Sequence, residues 1–319
     1  MKFSQGHRAV AGLVLILIAV VIAMVSWSGG RDDIAKEMKH EPQITVYFND
    51  TGKKRSMGLE QYLQGVVAGE MFPDWPVEAY GAQAIFARSF TLALIAEGGL
   101  QGKYGADIST DIEEAQAYNP SAITPEIKQA VENTRGQVLT YEDRYVKGWF
   151  HAYSGGVTTS AKEGLNYQDQ EPPYIKSVDL GENEYTPEDV RSWEVKYTLA
   201  ELRELLADAG INVGEIQDLK ITKRGPTERI TEIQVTGSEG TGTIHGADFR
   251  IAVDSTRMRS TLVTGWDVAE GVLTIKGTGY GHGVGLSQWD AFKMAKEGKS
   301  PQEIASAFFE GVEIKKLYD

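Results

Sequence analysis

Glu70 is the residue whose position in the sequence points most directly to chemistry. It follows Leu59, Leu63 and Val66 at helical spacing, so a helix would carry all four side chains on one face. Apolar surroundings disfavour the charged form of a carboxylic acid and raise its pKa, so that it holds a proton near neutral pH for delivery to a leaving oxygen. A solvent-facing glutamate at a helix end and a buried ion pair are the two structural alternatives, and the pattern alone leaves all three open.

The segment after Glu70 predicts a second helix that carries two unexpected polar side chains. Pro76 suits the first helical position, and Gly98-Gly99 suits the end. Small and apolar residues fill most of the helix between them, which predicts a central, buried position. Gln83 and Arg88 are the exceptions. Each would either pair with Glu70 or bind a polar substrate, and for Arg88 the pairing role is favoured because buried charges are usually paired.

A glycine at every second position marks the segment from Gly277 to Gly285. It lacks the lysine of a phosphate-binding P-loop and the spacing of a dinucleotide-binding G-x-G-x-x-G motif. It does predict a turn between a strand and a helix, with exposed backbone N–H groups and room for a ligand. The polar side chains expected to contact that ligand are Tyr280, His282, Ser287 and Gln288.

His151 ends a predicted strand just before the tight polar turn Ser154-Gly155-Gly156. His151 and His282 would allow a metal site, and Ser154 or Ser287 beside a histidine would allow a nucleophile. Neither an H-E-x-x-H motif nor a G-x-S-x-G motif supports these interpretations. Hydrogen-bonded structural histidines are the simpler interpretation, and we predict neither a metal nor a cofactor.

The elements that would position these residues predict an α+β fold. We expect a mixed sheet packed on the central buried helix. We also expect a smaller inserted subdomain at about 192–254, where the sequence changes to strand-like alternation and a separate capped helix.

The N-terminal segment predicts a membrane anchor. Residues 9–27 carry no charge, which is long enough to span a bilayer, and Lys2, His7 and Arg8 precede them. This predicts a cytoplasmic N-terminus at 1–8, a transmembrane helix at 9–27, a linker at 28–42 and an extracytoplasmic domain at 43–319. A cleaved signal peptide is the alternative, since Ser26-Trp27-Ser28 has the small-x-small form.

Composition narrows the classes of partner. The net charge of −13 argues against nucleic acid, which calls for a basic face. The chain has no cysteine, which excludes disulfides and thiolate metal sites.

Four separated motifs resemble, in the same order, those of the stage II sporulation protein D family, which includes amidase-enhancer domains. The motifs are Tyr62-Leu-Gln-Gly-Val-Val-Ala-Gly-Glu-Met71, Glu78-Ala-Tyr-Gly-Ala-Gln-Ala-Ile-Phe-Ala-Arg-Ser89, Phe150-His-Ala-Tyr-Ser-Gly-Gly156 and Gly279-Tyr-Gly-His-Gly-Val-Gly-Leu-Ser-Gln-Trp289. In the second motif Tyr80-Gly81 replaces the usual Leu-Lys, so any role of that lysine is lost.

The resemblance implies a peptidoglycan lytic transglycosylase that acts in engulfment during sporulation, in the septal membrane. It implies that Glu70 is the catalytic acid and base, with sporulation proteins M and P as partners in an engulfment complex, and that the glycan first loses its stem peptides. The family positions expected to line the glycan cleft are Gln83, Arg88, Ser154, His282, Ser287 and Gln288.

The mechanism needs only one carboxylate, whereas a hydrolase usually needs two. Asp74, Glu78 and Asp290 leave a second carboxylate open. The alternative function is a non-catalytic glycan-binding module that activates a partner amidase.

Overall fold

The computed structural model describes residues 34–112 and 114–319. Within them helices and small sheets are combined in an α+β fold, which confirms the predicted class. The predicted anchor at 9–27 lies outside the described residues and stays a prediction.

The helices of the described residues range from one turn to more than five turns. They are α1 (Leu59–Glu70), α2 (Val77–Ala96), α3 (Gln101–Tyr104), α4 (Pro125–Asn133), α5 (Ala161–Leu165), α6 (Glu188–Arg191), α7 (Leu199–Asp208), α8 (Gly246–Ala252), α9 (Gln288–Lys296) and α10 (Pro301–Ala307), with a 3₁₀ turn at Pro120–Ala122.

In the part of the chain that the structure describes, five small sheets take the place of the single mixed sheet that the sequence predicts. The first, in the order β2-β1-β3, joins β1 (Gln43–Phe48), β2 (Lys53–Gly58) and β3 (Ile108–Ser109), with β3 parallel to β1. The second, β14-β4-β5, contains β4 (Gln137–Tyr141), β5 (Arg144–Tyr145) and β14 (Glu313–Lys316). The third is the parallel pair of β6 (Phe150–His151) and β13 (Leu286–Ser287).

The other two sheets are antiparallel. One, β10-β9-β8, is built from β8 (Ile216–Arg224), β9 (Ile230–Gly237) and β10 (Gly240–Ile244). The other, β11-β12-β7, is built from β7 (Trp193–Thr198), β11 (Val263–Ala269) and β12 (Val272–Gly277).

The strand predicted to end at His151 is broken into β5 and β6, and its break shows why the sheets stay small. Gly148 separates β5 from β6 and lies against α2, where an added Cβ would be 2.5 Å from the carbonyl oxygen of Phe86. The chain therefore passes over the helix between the two strands, and each strand joins a different sheet.

Helix α2 lies inside the protein. Every residue from Ala79 to Ser89 is buried. Gly81 lets helix α10 approach closely, since an added Cβ would be 2.8 Å from Pro301. Helix α2 is long and apolar enough to cross a membrane, but most of it is buried inside the protein. The buried faces of α1 and α4 belong to the same hydrophobic cluster.

A buried ion pair joins the two helices of this core. Arg88 on α2 donates to both carboxylate oxygens of Glu60 on α1, at 2.9 and 2.6 Å, and also to the carbonyl of Gln137, at 2.8 Å. Glu60 further accepts from the Tyr318 hydroxyl at 2.6 Å and the Gly136 N–H at 3.2 Å. Burial alone would raise the pKa of Glu60, but the Arg88 charge and these hydrogen bonds lower it.

A second hydrophobic cluster is formed by residues between Trp193 and Ile275. Helices α7 and α8 contribute Leu202, Leu206 and Phe249, and the sheets β10-β9-β8 and β11-β12-β7 contribute residues such as Ile233 and Leu273. This part of the chain carries one wall of the cleft described next.

Candidate active site

A cleft of about 520 Å³ brings together segments that are far apart in the sequence. Its lining includes the end of α1, the loop after Ser109, strand β6, the glycine-rich segment, the start of α9 and side chains from α6 and α8. The lining residues are Glu70, Phe72, Phe90, Ile112, Ala115, Gln116, Trp149, Phe150, His151, Ala152, Asp189, Val190, Arg250, Arg259, Tyr280, Gly281, His282, Gln288 and Trp289.

Two glycines of α1 determine where Glu70 lies. A Cβ at Gly65 would overlap the Tyr118 ring, and one at Gly69 would be 2.8 Å from the carbonyl carbon of Ala117. Because neither glycine has a side chain, the loop at 115–118 packs directly on the helix. That contact brings the Ala117 N–H to 2.6 Å from Glu70 Oε1.

Glu70 is the acid with a pKa suited to proton transfer near neutrality. Burial raises the pKa of its carboxyl to about 7, and the Ala117 hydrogen bond opposes that rise only in part. Within the described residues, Oε2 has no hydrogen-bond partner. The predicted acid on an apolar helix face therefore lines the cleft with one oxygen held and the other available.

The buried hydroxyl of Tyr62 belongs to the same environment. It has no hydrogen-bond partner among the described residues. Burial and, next, the charge of Glu70 raise the pKa of Tyr62. The tyrosine therefore stays a neutral phenol near the carboxyl group.

The glycine-rich segment forms the opposite wall through its backbone. Gly279, Gly281, Gly283 and Gly285 all have positive φ, which other residues rarely adopt. Tyr280 exchanges two backbone hydrogen bonds with Tyr153, at 3.0 and 2.9 Å. The segment therefore lies beside the strand that ends at His151, in contact with it rather than as an open nucleotide loop.

His151 and His282 face each other at 5.4 Å between ring centroids. Burial lowers the pKa of His282 to about 3 and the pKa of His151 well below its usual value, with further lowering from nearby arginines. His151 Nδ1 lies 3.2 Å from the Val284 carbonyl, and His282 Nδ1 accepts from the Val284 N–H at 3.1 Å. Both rings are therefore neutral, and His151 Nε2 is a buried acceptor without a partner among the described residues.

The structure does not bring Ser154 and Ser287 to the cleft as predicted. Both are fully buried, and both hydroxyls donate to Asp290 Oδ2. Asn183 donates to the other oxygen of Asp290 at 3.0 Å. The serines and Asp290 thus form a closed network that links the turn after β6 to α9, because a buried carboxyl group needs hydrogen-bond donors.

We predict that Ser154→Ala and Ser287→Ala leave the activity of the folded protein unchanged and lower the free energy of unfolding by about 1 to 3 kcal/mol, the usual cost of losing a hydrogen bond to a charged or buried group. Urea denaturation and glycan cleavage per folded molecule provide the two measurements. Loss of cleavage at unchanged stability would assign the serines to substrate binding instead.

Gln83 and Arg88 do not line the cleft as the family resemblance implied, although Arg88 is buried and paired with a carboxylate, as its position in an apolar helix predicted. Arg88 is fully buried in its ion pair with Glu60 and does not line the cleft. Gln83 is fully buried and reaches the cleft only through Gln288, whose amide lies 3.4 Å from its oxygen. Tyr280, His282 and Gln288 do line the cleft with Glu70.

The sequence reasoning missed Gln116, Arg250 and Arg259, which line the cleft. No motif or spacing in the sequence singles them out, so only the fold reveals them. The aromatic side chains of Phe72 and Trp289 also line it, with ring centroids 5.9 Å apart, and Phe72 is 57% exposed.

Of the described carboxylates, Glu70 and Asp189 line the cleft, and Asp189 is mostly exposed and paired with Arg259 at 3.1 Å. The other candidates for a second carboxylate lie elsewhere. Asp74 and Glu78 are exposed outside the lining, and Asp290 is enclosed by the serines.

Comparison with known proteins supports the resemblance seen in the motifs. A family model described as "Stage II sporulation protein" matches residues 47–141, and a domain of unknown function matches residues 162–285. An uncharacterized protein of Brachyspira hyodysenteriae is 30% identical over 84% of this chain and 70% of its own length.

Two proteins of Bacillus subtilis strain 168 are also similar. Its stage II sporulation protein D is 29% identical over 88% of this chain and 81% of its own length. Its amidase enhancer is 27% identical over 79% of this chain and 40% of its own length. The family model covers Glu70 and both core helices, and the relatives extend over most of the chain, so this chain belongs to the stage II sporulation protein D family.

Proposed function

We propose that this protein is a lytic transglycosylase that cleaves the bond between N-acetylmuramic acid and N-acetylglucosamine in peptidoglycan. The observation that carries the proposal is Glu70, a cleft carboxyl group with a pKa of about 7 and one oxygen without a partner among the described residues. Such a group is protonated in a useful fraction of molecules near neutral pH and can act first as acid and then as base.

In the proposed reaction, protonated Glu70 donates its proton to the glycosidic oxygen as the bond to the muramic anomeric carbon breaks. The resulting carboxylate then takes the proton from the C6 hydroxyl of the same muramic residue. The C6 oxygen bonds to the anomeric carbon and closes a 1,6-anhydro ring. No water is consumed, and Glu70 ends protonated, so one carboxyl group suffices where a hydrolase usually needs two.

The aromatic side chains in the cleft support a carbohydrate substrate. Phe72 and Trp289 form an aromatic surface, and Trp149 lies on the lining contributed by the segment around β6. The flat apolar faces of sugar rings would pack on such side chains. The amide nitrogens of Gln116 and Gln288 donate to Ala87 and Gln83, so their side-chain oxygens are the groups that would accept hydrogen bonds from a sugar.

We also propose that residues 9–27 anchor the chain in the cell membrane, with residues 43–319 outside, and that it works on septal peptidoglycan during engulfment together with sporulation proteins M and P. The family membership supports the sporulation context. The acidic surface, with a net charge of −13, fits a partner other than nucleic acid.

Mass spectrometry of the products tests the reaction. Residues 34–319 incubated with purified glycan strands should release fragments that end in 1,6-anhydro-muramic acid. Fragments heavier by one water, with reducing ends, would show hydrolysis and contradict the proposal.

The rate of cleavage should depend on pH as expected for a required protonated acid with a pKa of about 7. We expect kcat/KM to be nearly constant from about pH 5 to about pH 6 and to fall about tenfold per unit above about pH 7. Initial rates, with thermal unfolding recorded at each pH, provide the measurement. A fall that begins near 4.5, the ordinary pKa of a glutamate, would contradict the raised pKa.

A non-catalytic glycan-binding module that activates an amidase is the second candidate, because one similar protein is named an amidase enhancer. The same assay separates the two functions. A pure enhancer would leave purified glycan strands intact and would increase the rate of an added amidase.

A further inference from the structure

Arg250 is a cleft cation that no carboxylate neutralises among the described residues. Its Nε donates to the Arg259 carbonyl at 3.0 Å, and its Nη2 donates to the Ser255 carbonyl at 3.1 Å. These two neutral acceptors are its hydrogen-bond partners, and its Nη1 makes no hydrogen bond within the described part of the chain. The chain has 45 acidic and 32 basic residues, so acids to pair with it are not scarce.

Arg250 is largely removed from water, which makes its lack of a carboxylate partner energetically unfavourable. Burial lowers the pKa of its guanidinium to about 10, and Tyr280 is the group that opposes this. A guanidinium removed from water is usually paired with a carboxylate, because desolvation of an unpaired charge is unfavourable. Arg250 therefore sits in a position where an incoming anion would be stabilised.

A second cation lies beside it. Arg259, whose backbone carbonyl holds Arg250, has a 26% exposed side chain that packs 5.4 Å from the centre of the Tyr280 ring. Its partner Asp189 is 72% exposed, so water screens that ion pair and leaves it weak. Arg250, Arg259 and Tyr280 all line the cleft that contains Glu70.

Among the described residues, Asp189 is the cleft carboxylate that contacts Arg259, and it is mostly exposed, whereas no carboxylate contacts Arg250. The pKa of Glu70 responds to burial and to the Ala117 N–H, without a contribution from either arginine, so Glu70 is not their partner. The nearby imidazoles are neutral, in part because Arg250 lowers the pKa of both. The positive charge of Arg250 therefore lines the space that a ligand would fill.

We propose that Arg250 and Arg259 form an anion subsite that binds a carboxylate of the glycan substrate. This inference rests on the proposed function, which places a muramic acid in the cleft. The lactyl ether of muramic acid ends in a carboxyl group that is either free or amide-linked to a peptide with carboxylates of its own. A guanidinium offers parallel N–H donors that match the two oxygens of a carboxylate.

The competing role for Arg250 is structural. It lies in the last turn of α8 and ties together the carbonyls of the turn that follows, where a cation is also favoured by the helix dipole. A purely structural arginine would affect stability without responding to the charge of a ligand. Binding measured with ligands that carry a carboxylate and with a ligand in which it is capped therefore separates the two roles.

The test is a calorimetric titration of the full chain carrying Glu70→Gln, so that binding is measured without turnover. Three muramic-acid-containing tetrasaccharides serve as probes, one with free lactyl carboxylates, one with lactyl groups linked to a dipeptide that ends in a carboxylate, and one with lactyl groups capped as methylamides. Arg250→Gln and Arg259→Gln are each added to this background. Arg224→Gln, an exposed arginine outside the cleft, is the matched control.

We expect at least one carboxylate-bearing probe to bind about tenfold or more tightly than the capped probe, with the advantage removed by Arg250→Gln, reduced by Arg259→Gln and unchanged by Arg224→Gln. Preference for the free lactyl probe alone identifies the lactyl carboxylate, and preference for the dipeptide probe identifies the peptide. Equal binding of all three probes overturns the subsite even if Arg250→Gln fails to fold, because that comparison needs no arginine variant. Absence of anhydro products with carboxylate-dependent binding retained would overturn the proposed reaction and leave the subsite standing.

Discussion

Replacing Glu70 by glutamine is expected to abolish glycan cleavage while the domain remains folded. Glutamine has nearly the same size and still accepts the Ala117 N–H through its side-chain oxygen, which lies 2.6 Å away in the glutamate. It cannot donate or accept the proton that the reaction transfers. General acid and base catalysis contributes about 10² to 10⁴-fold in rate, and Glu70 is proposed to fill both roles, so we expect a loss at or beyond the upper end of that range.

The same substitution has a predictable effect on stability. Folding raises the pKa of Glu70 from 4.5 to about 7, so its favourable contribution is present below pH 4.5 and is lost as the pH rises through about 7. The difference between these two pKa values corresponds to a stability contribution of about 3 kcal/mol, and water in the cleft reduces that contribution. At about pH 8, Glu70→Gln should leave the free energy of unfolding unchanged or raise it by about 1 to 2 kcal/mol.

Glu78→Gln is the matched control for this experiment, because Glu78 is an exposed glutamate in the first turn of the next helix. It should keep full cleavage and nearly unchanged stability. Product mass and urea denaturation at about pH 6 and about pH 8 complete the set. A Glu70→Gln protein that unfolds would show that the carboxyl group is structural, and one that still cleaves would remove Glu70 from the reaction.

The sequence predicted local features of the fold well, because their causes lie within a few residues. Thr124, Thr198 and Ser300 are of the residue types that favour the start of a helix, and each side chain accepts a hydrogen bond from a backbone N–H in the first turn. Pro76 precedes α2, and the end of α1 carries Glu70 as the spacing of Leu59, Leu63 and Val66 predicted. Capping and hydrophobic periodicity act over one or two turns, so the chain itself contains the required information.

Features that depend on distant pairing could not be predicted in the same way. Ser154 and Asp290 are 136 residues apart, and nothing near either residue indicates that they meet. Arg88 was expected to find a carboxylate, but its partner is Glu60, on the same helix as Glu70. Arg250 was missed for the same reason, since only the fold shows that it lines the cleft without a carboxylate partner among the described residues.

Arg88→Met should destabilise the protein strongly, by about 3 to 5 kcal/mol, because it leaves Glu60 buried without its counter-charge. Glu60 is 4% exposed, and the Arg88 charge helps to lower its pKa against the effect of burial. Because the pKa of Glu60 is lower in the folded protein, its ion pair stabilises the fold at pH values above the unfolded pKa of about 4.5. That stabilisation is lost as the pH falls from there through the lower pKa of the folded state. The cost of the substitution should therefore be largest near neutral pH and smaller in acid, which urea denaturation across pH would measure.

Removing both charges distinguishes the buried pair from a role in the cleft. Arg88→Met combined with Glu60→Leu should recover much of the loss, because apolar replacement of a whole buried pair is often close to neutral. Arg191→Met, which breaks an exposed pair with Glu188, should cost no more than about 0.5 kcal/mol. If Arg88 acts only through the fold, the doubly substituted protein cleaves glycan at the normal rate per folded molecule. Recovery of stability without recovery of cleavage would instead mean that Arg88 leaves its ion pair to reach the substrate, as the family resemblance implied.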